Sequence, residues 1–228
     1  MKMLLIVLST AALLAPVLDA EVYLHPSWSA RSKEGWVLAV LPATCEMTVE
    51  GAGATRLQRD ESQVLEARLA AAVAQALQTK GWTISEDVFH SEDVARNGEL
   101  FFLVRYLRER NATLTQRITL APKEMKAGNV SFGKAITEIQ PYTKANILVF
   151  VHVLGFRLTT AERILRIAVG TYYYGTVGLL FDNDVFRGSQ FKIRATFVDA
   201  ETGDVLCFVK PKHDGPQAFV KELEALTH

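Results

Sequence analysis

Ala145-Asn146-Ile147-Leu148-Val149-Phe150-Val151-His152-Val153-Leu154 is the stretch on which the fold turns. It carries no formal charge, and its apolar residues do not alternate with polar ones. A strand with one wet face would alternate, so this strand is buried on both faces and belongs at the centre of a sheet. Trp36-Val37-Leu38-Ala39-Val40-Leu41, stopped by Pro42, is a shorter run of the same kind. Trp82-Thr83-Ile84-Ser85 reads as a further strand. Towards the C-terminus, Gln190 to Val198 alternates with period two, as a half-buried strand does. Asp199-Ala-Glu-Thr-Gly203-Asp204 then forms a turn in which Gly203 supplies a positive φ angle, and Val205 to Val209 returns antiparallel.

Between these strands the period changes. Over Ser62–Lys80, Val64, Leu65, Leu69, Val73 and Leu77 recur at three- and four-residue steps among alanines, the pattern of an amphipathic helix that Gly81 ends. Ser91-Glu92-Asp93 can cap a second helix, with Gly98 as a break before Leu100–Arg110. The arginines of that segment read as a solvated face rather than an anion site. Residues 111–132 are polar and give no firm pattern, and Gly133–Thr143 suggests a short helix. Pro216–Leu226 closes the chain as another. Residues 21–35 read as an irregular arm and 43–61 as a loop. The expected fold class is α/β (α+β): one domain over 36–228, with a mixed sheet of about five strands covered by helices. It ends in an antiparallel hairpin and a short helix.

Residues 1–20 have the parts of a secretory signal: Lys2, an apolar stretch from Leu4 to Leu18, and Ala20 at the cut. The stretch is short for a membrane span. Leu18 sits where a smaller residue is usual, which leaves an uncleaved anchor as the alternative. Removing 20 of 228 residues leaves 208, enough for one domain with a substantial core. Lys plus Arg and Asp plus Glu number 25 each, so no net charge draws the chain to nucleic acid. Cys45 and Cys207 are the two cysteines. In an oxidising compartment they are candidates for a disulfide; the alternative is two buried thiols that never meet. Asn111-Ala-Thr113 and Asn129-Val-Ser131 match the glycosylation pattern, which is common by chance.

Three blocks in this order carry a resemblance: VLAVLP with the helix ending LQTKGWTI, then KANILVFVHVLGF, then KIRATFVDAETGDVLCFVK. Together they resemble periplasmic domains related to the curli-secretion protein CsgG and the N-terminal domain of TolB. In that group a proline-containing turn ends the first strand. The last hairpin has a D-A-x-T-G-(D/E)-V turn, matched here by Asp199, Ala200, Thr202, Gly203, Asp204 and Val205. The resemblance spans roughly 110 residues. It implies a three-layer α/β domain and a non-enzymatic role in envelope assembly, secretion or lipoprotein complexes. Two departures stand out: no lipidated cysteine follows the signal, and residues 86–144 form a longer, more apolar elaboration.

Ile164 to Phe181, ILRIAVGTYYYGTVGLLF, lies where CsgG-like proteins place a membrane-active element. Its first reading is a buried segment packed on the sheet. The second is a protein or interfacial membrane surface anchored by Tyr172, Tyr173, Tyr174, Leu179, Leu180 and Phe181, and the third is insertion. Catalytic motifs are lacking: there is no Gly-x-Ser-x-Gly, His-Glu-x-x-His, phosphate-binding loop or Cys-x-x-Cys. No catalytic residue, metal ligand or cofactor is therefore expected. His152, among valines, reads as a hydrogen-bonded core histidine. Asp182-Asn183-Asp184 and His90-Ser91-Glu92-Asp93 read as capping or turn groups rather than a calcium or hydrolytic site. The expected role is that of an exported, non-catalytic envelope protein, periplasmic or secreted and peripheral at the outer membrane. It would act through envelope proteins or self-association and not through nucleic acid. The alternative is a periplasmic binding module for a glycan or lipid, which polar groups converging beside the central strand would favour.

Overall fold

The computed structural model describes residues 20–28, 34–51, 54–57, 59–85, 89, 94, 96–158 and 189–211. Its sheet is built around β6 (Ile147–Leu158), the doubly apolar strand. β7 (Ser189–Asp199) pairs antiparallel with it from Ile147↔Asp199 to Arg157↔Ser189. β8 (Val205–Pro211) adds antiparallel to β7, and β1 (Ala20–Leu24) adds antiparallel to β8 at the edge. On the other side of β6 the pairing is parallel. β2 (Val37–Val40) lies along its start, with β5 (Thr83–Ile84) outside. β3 (Thr44–Gly51) continues the line of β2 along the rest of β6, and β4 (Ala54–Leu57) folds back on it. The sheet is thus mixed and the class α/β, as the strand pattern implies. It holds eight strands among the described residues rather than about five.

Two helical layers cover it. α1 (Arg59–Thr79) lays Leu69, Val73 and Leu77 against Val149, Val151, Val153, Ile193, Ala195 and Phe197. All three tryptophans join this core: Trp28 meets Trp36 edge-on at 5.1 Å, and Trp36 stacks on Trp82 at 5.7 Å. The opposite face takes α2 (Gly98–Leu120), α3 (Pro122–Lys126) and a 3-10 helix (Lys134–Tyr142). Their Leu107, Leu114, Ile118, Met125, Ile136 and Ile139 pack on Leu148, Phe150, Val198 and Phe208. Residues of the 86–144 elaboration thus build more than half of the core on this face.

Several local expectations need correction. The proline at 42 does not end the strand line. Val40 is opposite Val149 and Thr44 opposite His152, so Leu41, Pro42 and Ala43 face two residues of β6. This is a bulge, where the missing N–H of proline costs no ladder bond. The loop expected at 43–61 is instead the β3–β4 hairpin followed by the start of α1. Within the arm expected at 21–35, Ala20–Leu24 is a strand and Trp28 is buried. The break expected near Gly98 is present: Val94 and Arg96 are helical, Asn97 is not, and α2 starts at Gly98, with the Asn97 side chain accepting from the Leu100 N–H as its cap. The turn at Asp199 is as expected. Asp199 Oδ1 accepts from the Glu201 and Thr202 N–H groups, and Gly203 has φ of 79°. A Cβ at Gly203 would sit 2.6 Å from the Gly133 carbonyl, so glycine is needed there for space as well. The expected helix at 216–226 lies outside the described residues, and the expected cut after Ala20 falls within β1, between its first two residues.

Candidate functional site

The bulge creates the first element of the site. Beyond it, the outer edge of the strand at Ala43–Cys45 lies past the reach of β5, which pairs at Val37 and Leu38, and before β4, which pairs from Thr48. Backbone groups on that edge need partners from elsewhere. Two helices from opposite layers supply them. Glu66 of α1 accepts from the Cys45 N–H at 3.1 Å, and Arg108 of α2 donates to the Ala43 carbonyl at 2.6 Å. The same guanidinium donates to Thr44 Oγ1 at 3.0 Å and to Glu66 at 2.8 Å. The pair stands in for a neighbouring strand and ties the two layers together. Arg108, expected on a solvated face, is partly buried. Arg105, one turn earlier, is solvated and pairs with Glu109.

The bulge also changes which residues face α2. Leu38 and Val40 point to α1 before it; Ala43 and Cys45 do so after it, turning Thr44 to the α2 face. There Thr44, His152 and Arg194 form a row across β3, β6 and β7. His152 is 4% exposed, and neither ring nitrogen has a hydrogen-bond partner. Its Nε2 lies 4.0 Å from the Glu46 carboxylate, too far for a hydrogen bond. Burial, then the guanidiniums of Arg194 and Arg108, push the imidazole pKa down to about 4, so it is neutral at pH 7. The expected hydrogen-bonded core histidine is buried but not hydrogen-bonded.

Arg194 is partly buried. Its Nε has no partner, no carboxylate pairs with it among the described residues, and burial lowers its pKa. Two positions along β7, Thr196 is buried with its hydroxyl unpartnered. Over this face of the sheet, α2 buries Asn111 and Thr115, whose Oδ1 and Oγ1 are also unpartnered. Each such atom costs on the order of 1–3 kcal/mol. Buried polar groups are nearly always hydrogen-bonded, so five such side chains on two paired strands and the helix over them are an anomaly with a location.

The proposed contact residues Tyr172, Tyr173, Tyr174, Leu179, Leu180 and Phe181 lie outside the described residues, as do Asp182-Asn183-Asp184 and His90-Ser91-Glu92-Asp93. What the structure gives is the root of that segment: β6 ends at Leu158 and β7 begins at Ser189, on adjacent central strands. β3 runs beside them as far as Glu50↔Leu158. Cys45 and Cys207 form no disulfide. Two strands, β6 and β7, separate them, a gap of roughly 14 Å at about 4.8 Å per strand. Burial and the Glu66 and Glu46 carboxylates raise the Cys45 thiol to about 11, which keeps it protonated. Phe101, Phe102 and Tyr106 are exposed on the outer side of α2. Among the described residues no helix is long and apolar enough to cross a membrane, and no three His, Cys, Asp or Glu side chains gather as a metal site.

No family model, curated protein or solved structure matches the chain. The polar patch had a signal in the sequence all the same. Asn111 falls in the apolar stripe of α2 between Leu107 and Leu114, and His152 interrupts an unbroken apolar strand.

Proposed function

We infer that this protein is an exported, non-catalytic component of a bacterial envelope that works through protein contacts, as a subunit of an outer-membrane or secretion assembly. The observation that carries this reading is the rooting of segment 159–188. Its two ends sit on neighbouring strands at the middle of the sheet, beside the β3–β4 hairpin. An apolar stretch containing Tyr172, Tyr173 and Tyr174 thus leaves from, and returns to, two paired central strands of the sheet. Ligand-bearing or partner-bearing segments gain precision from such anchoring. The resemblance to CsgG- and TolB-related domains, an analogy of fold, points the same way.

The test is light scattering coupled to size-exclusion chromatography on the chain from Glu21, with and without detergent or liposomes. A ring-sized oligomer, or liposome binding that is lost when Tyr172, Tyr173 and Tyr174 become serine with the fold intact, is the expected result. A monomer indifferent to detergent and liposomes would overturn the reading. Unfolding of the triple variant would assign those tyrosines to the core.

A further inference from the structure

We propose that the patch between α2 and β6–β7 is a binding site for a small carboxylate, held by Arg194, His152 and Thr196 of the sheet and completed by the Thr115 hydroxyl of α2, the helix over this face. The proposal goes beyond the assembly reading and does not rest on it. Arg194 and His152 are directly opposite on adjacent strands, and Thr196 is two positions along from Arg194 on the same face. Such neighbours have Cβ atoms about 5–7 Å apart, a triangle of the size of one carboxylate and its hydrogen bonds.

The chemistry of the groups selects the charge. A guanidinium Nε–H, two hydroxyls and one imidazole N–H are donors without acceptors. The nearby carboxylates do not meet this need. Glu66 is engaged by Arg108 and by the Cys45 N–H, while the Glu46 side chain is 55% exposed and stands off at 4.0 Å from His152. One positive charge is therefore left at Arg194 without a counter-ion among the described residues. An unpaired, partly buried charge is costly, and an anion that fits its fork offsets that cost with two parallel hydrogen bonds. A monocarboxylate suits better than phosphate, because only one guanidinium is uncommitted. The unpartnered atoms are shielded from solvent, so entry of the ligand requires α2 to lift from the sheet.

Acetate is the probe, added to the full chain at pH 7 with chloride at matched ionic strength as the control. The expected result is a saturable rise of the thermal midpoint with half-effect in the millimolar range, together with movement of the His152 imidazole resonances in NMR spectra. Arg194→Met should abolish both responses and in chloride should be at least as stable as the parent. Thr196→Val should keep the fold and weaken the acetate response several-fold. An equal response in parent and Arg194→Met, or no saturable response, would overturn the proposal. Failure of Arg194→Met to fold would overturn it too, because the guanidinium would then be compensated already.

Discussion

The two faces of the sheet come from the same strands and differ in kind. Under α1, Val149, Val151 and Val153 of β6 meet Ile193, Ala195 and Phe197 of β7 in an all-apolar core closed by three tryptophans. Under α2 the intervening residues start the same way, with Leu148, Phe150 and Val198, and then turn polar at His152, Arg194 and Thr196. Period two makes this possible: one strand can present a dry face and a polar face at a spacing of a single residue. The comparison teaches where stability is made and where it is surrendered. Burial is nearly complete on both faces. The unpartnered His152, Arg194 and Thr196 all lie on the α2 side, and natural proteins concentrate such violations at functional sites.

The comparison can be broken first on the dry face. Phe197→Ala should destabilise the fold by about 3–5 kcal/mol in urea titration, the cost of a large cavity among residues that cannot collapse to fill it. A loss under about 1 kcal/mol would mean that the α1 face is not the main source of stability. Acid tests the other face. The His152 pKa is depressed in the folded protein relative to about 6.5 unfolded, so the unfolded chain takes up the proton first. Stability from this group is complete above pH 6.5 and falls as the pH drops towards 4, by about 3 kcal/mol. His152→Phe should flatten that part of the pH–stability curve, and an unchanged slope would show that other groups set it.

Arg108→Ala should cost about 2 kcal/mol, because the Ala43 carbonyl and the Glu66 carboxylate lose a charged partner together. Chemical denaturation of the single variants and of the double variant with Glu66→Ala would show coupling; additive losses would mean that the two side chains act separately. The smallest effect sharpens the contrast most. Thr196→Val removes a buried hydroxyl that bonds to nothing and should leave stability within about 1 kcal/mol of the parent, on the stabilising side. A clear destabilisation would show that the hydroxyl is satisfied and that the patch is ordinary core.

Much of this architecture could be read from the residues, and the unread parts share a cause. β6 was plain because both of its faces are apolar near its start, and the β7–β8 hairpin was plain because Asp199 and Gly203 impose the turn. β3 was hidden. Of the five residues from Thr44 to Thr48, two are threonines and one is Glu46, and Cys45 reaches the α1 core. The second half of α2 was hidden for a similar reason: Asn111 and Thr115 sit in the stripe that Leu107, Leu114 and Ile118 mark out. Periodicity finds elements by assuming that inward positions are apolar. It therefore fails where inward positions are polar, and those are the residues that form the candidate site. The role of Arg108 was unreadable for another reason, since it depends on a bulge that brings α1 and α2 to one strand edge.

Pairing of Ala20–Leu24 with Cys207–Pro211 has a consequence for how the chain can be handled. β1 is the first described strand to be made, and its partner is the last, so the sheet margin closes only across almost the whole sequence. Contacts so far apart in sequence slow folding, and this edge of the sheet can pair only after Pro211 has been made. A cut after Ala20 spares this margin, because Glu21 keeps its pairing and its 2.8 Å contact with Lys210. A cut a few residues later would strip β8 of its cover and leave a row of bare N–H and C=O groups, a template on which a strand of another molecule can form.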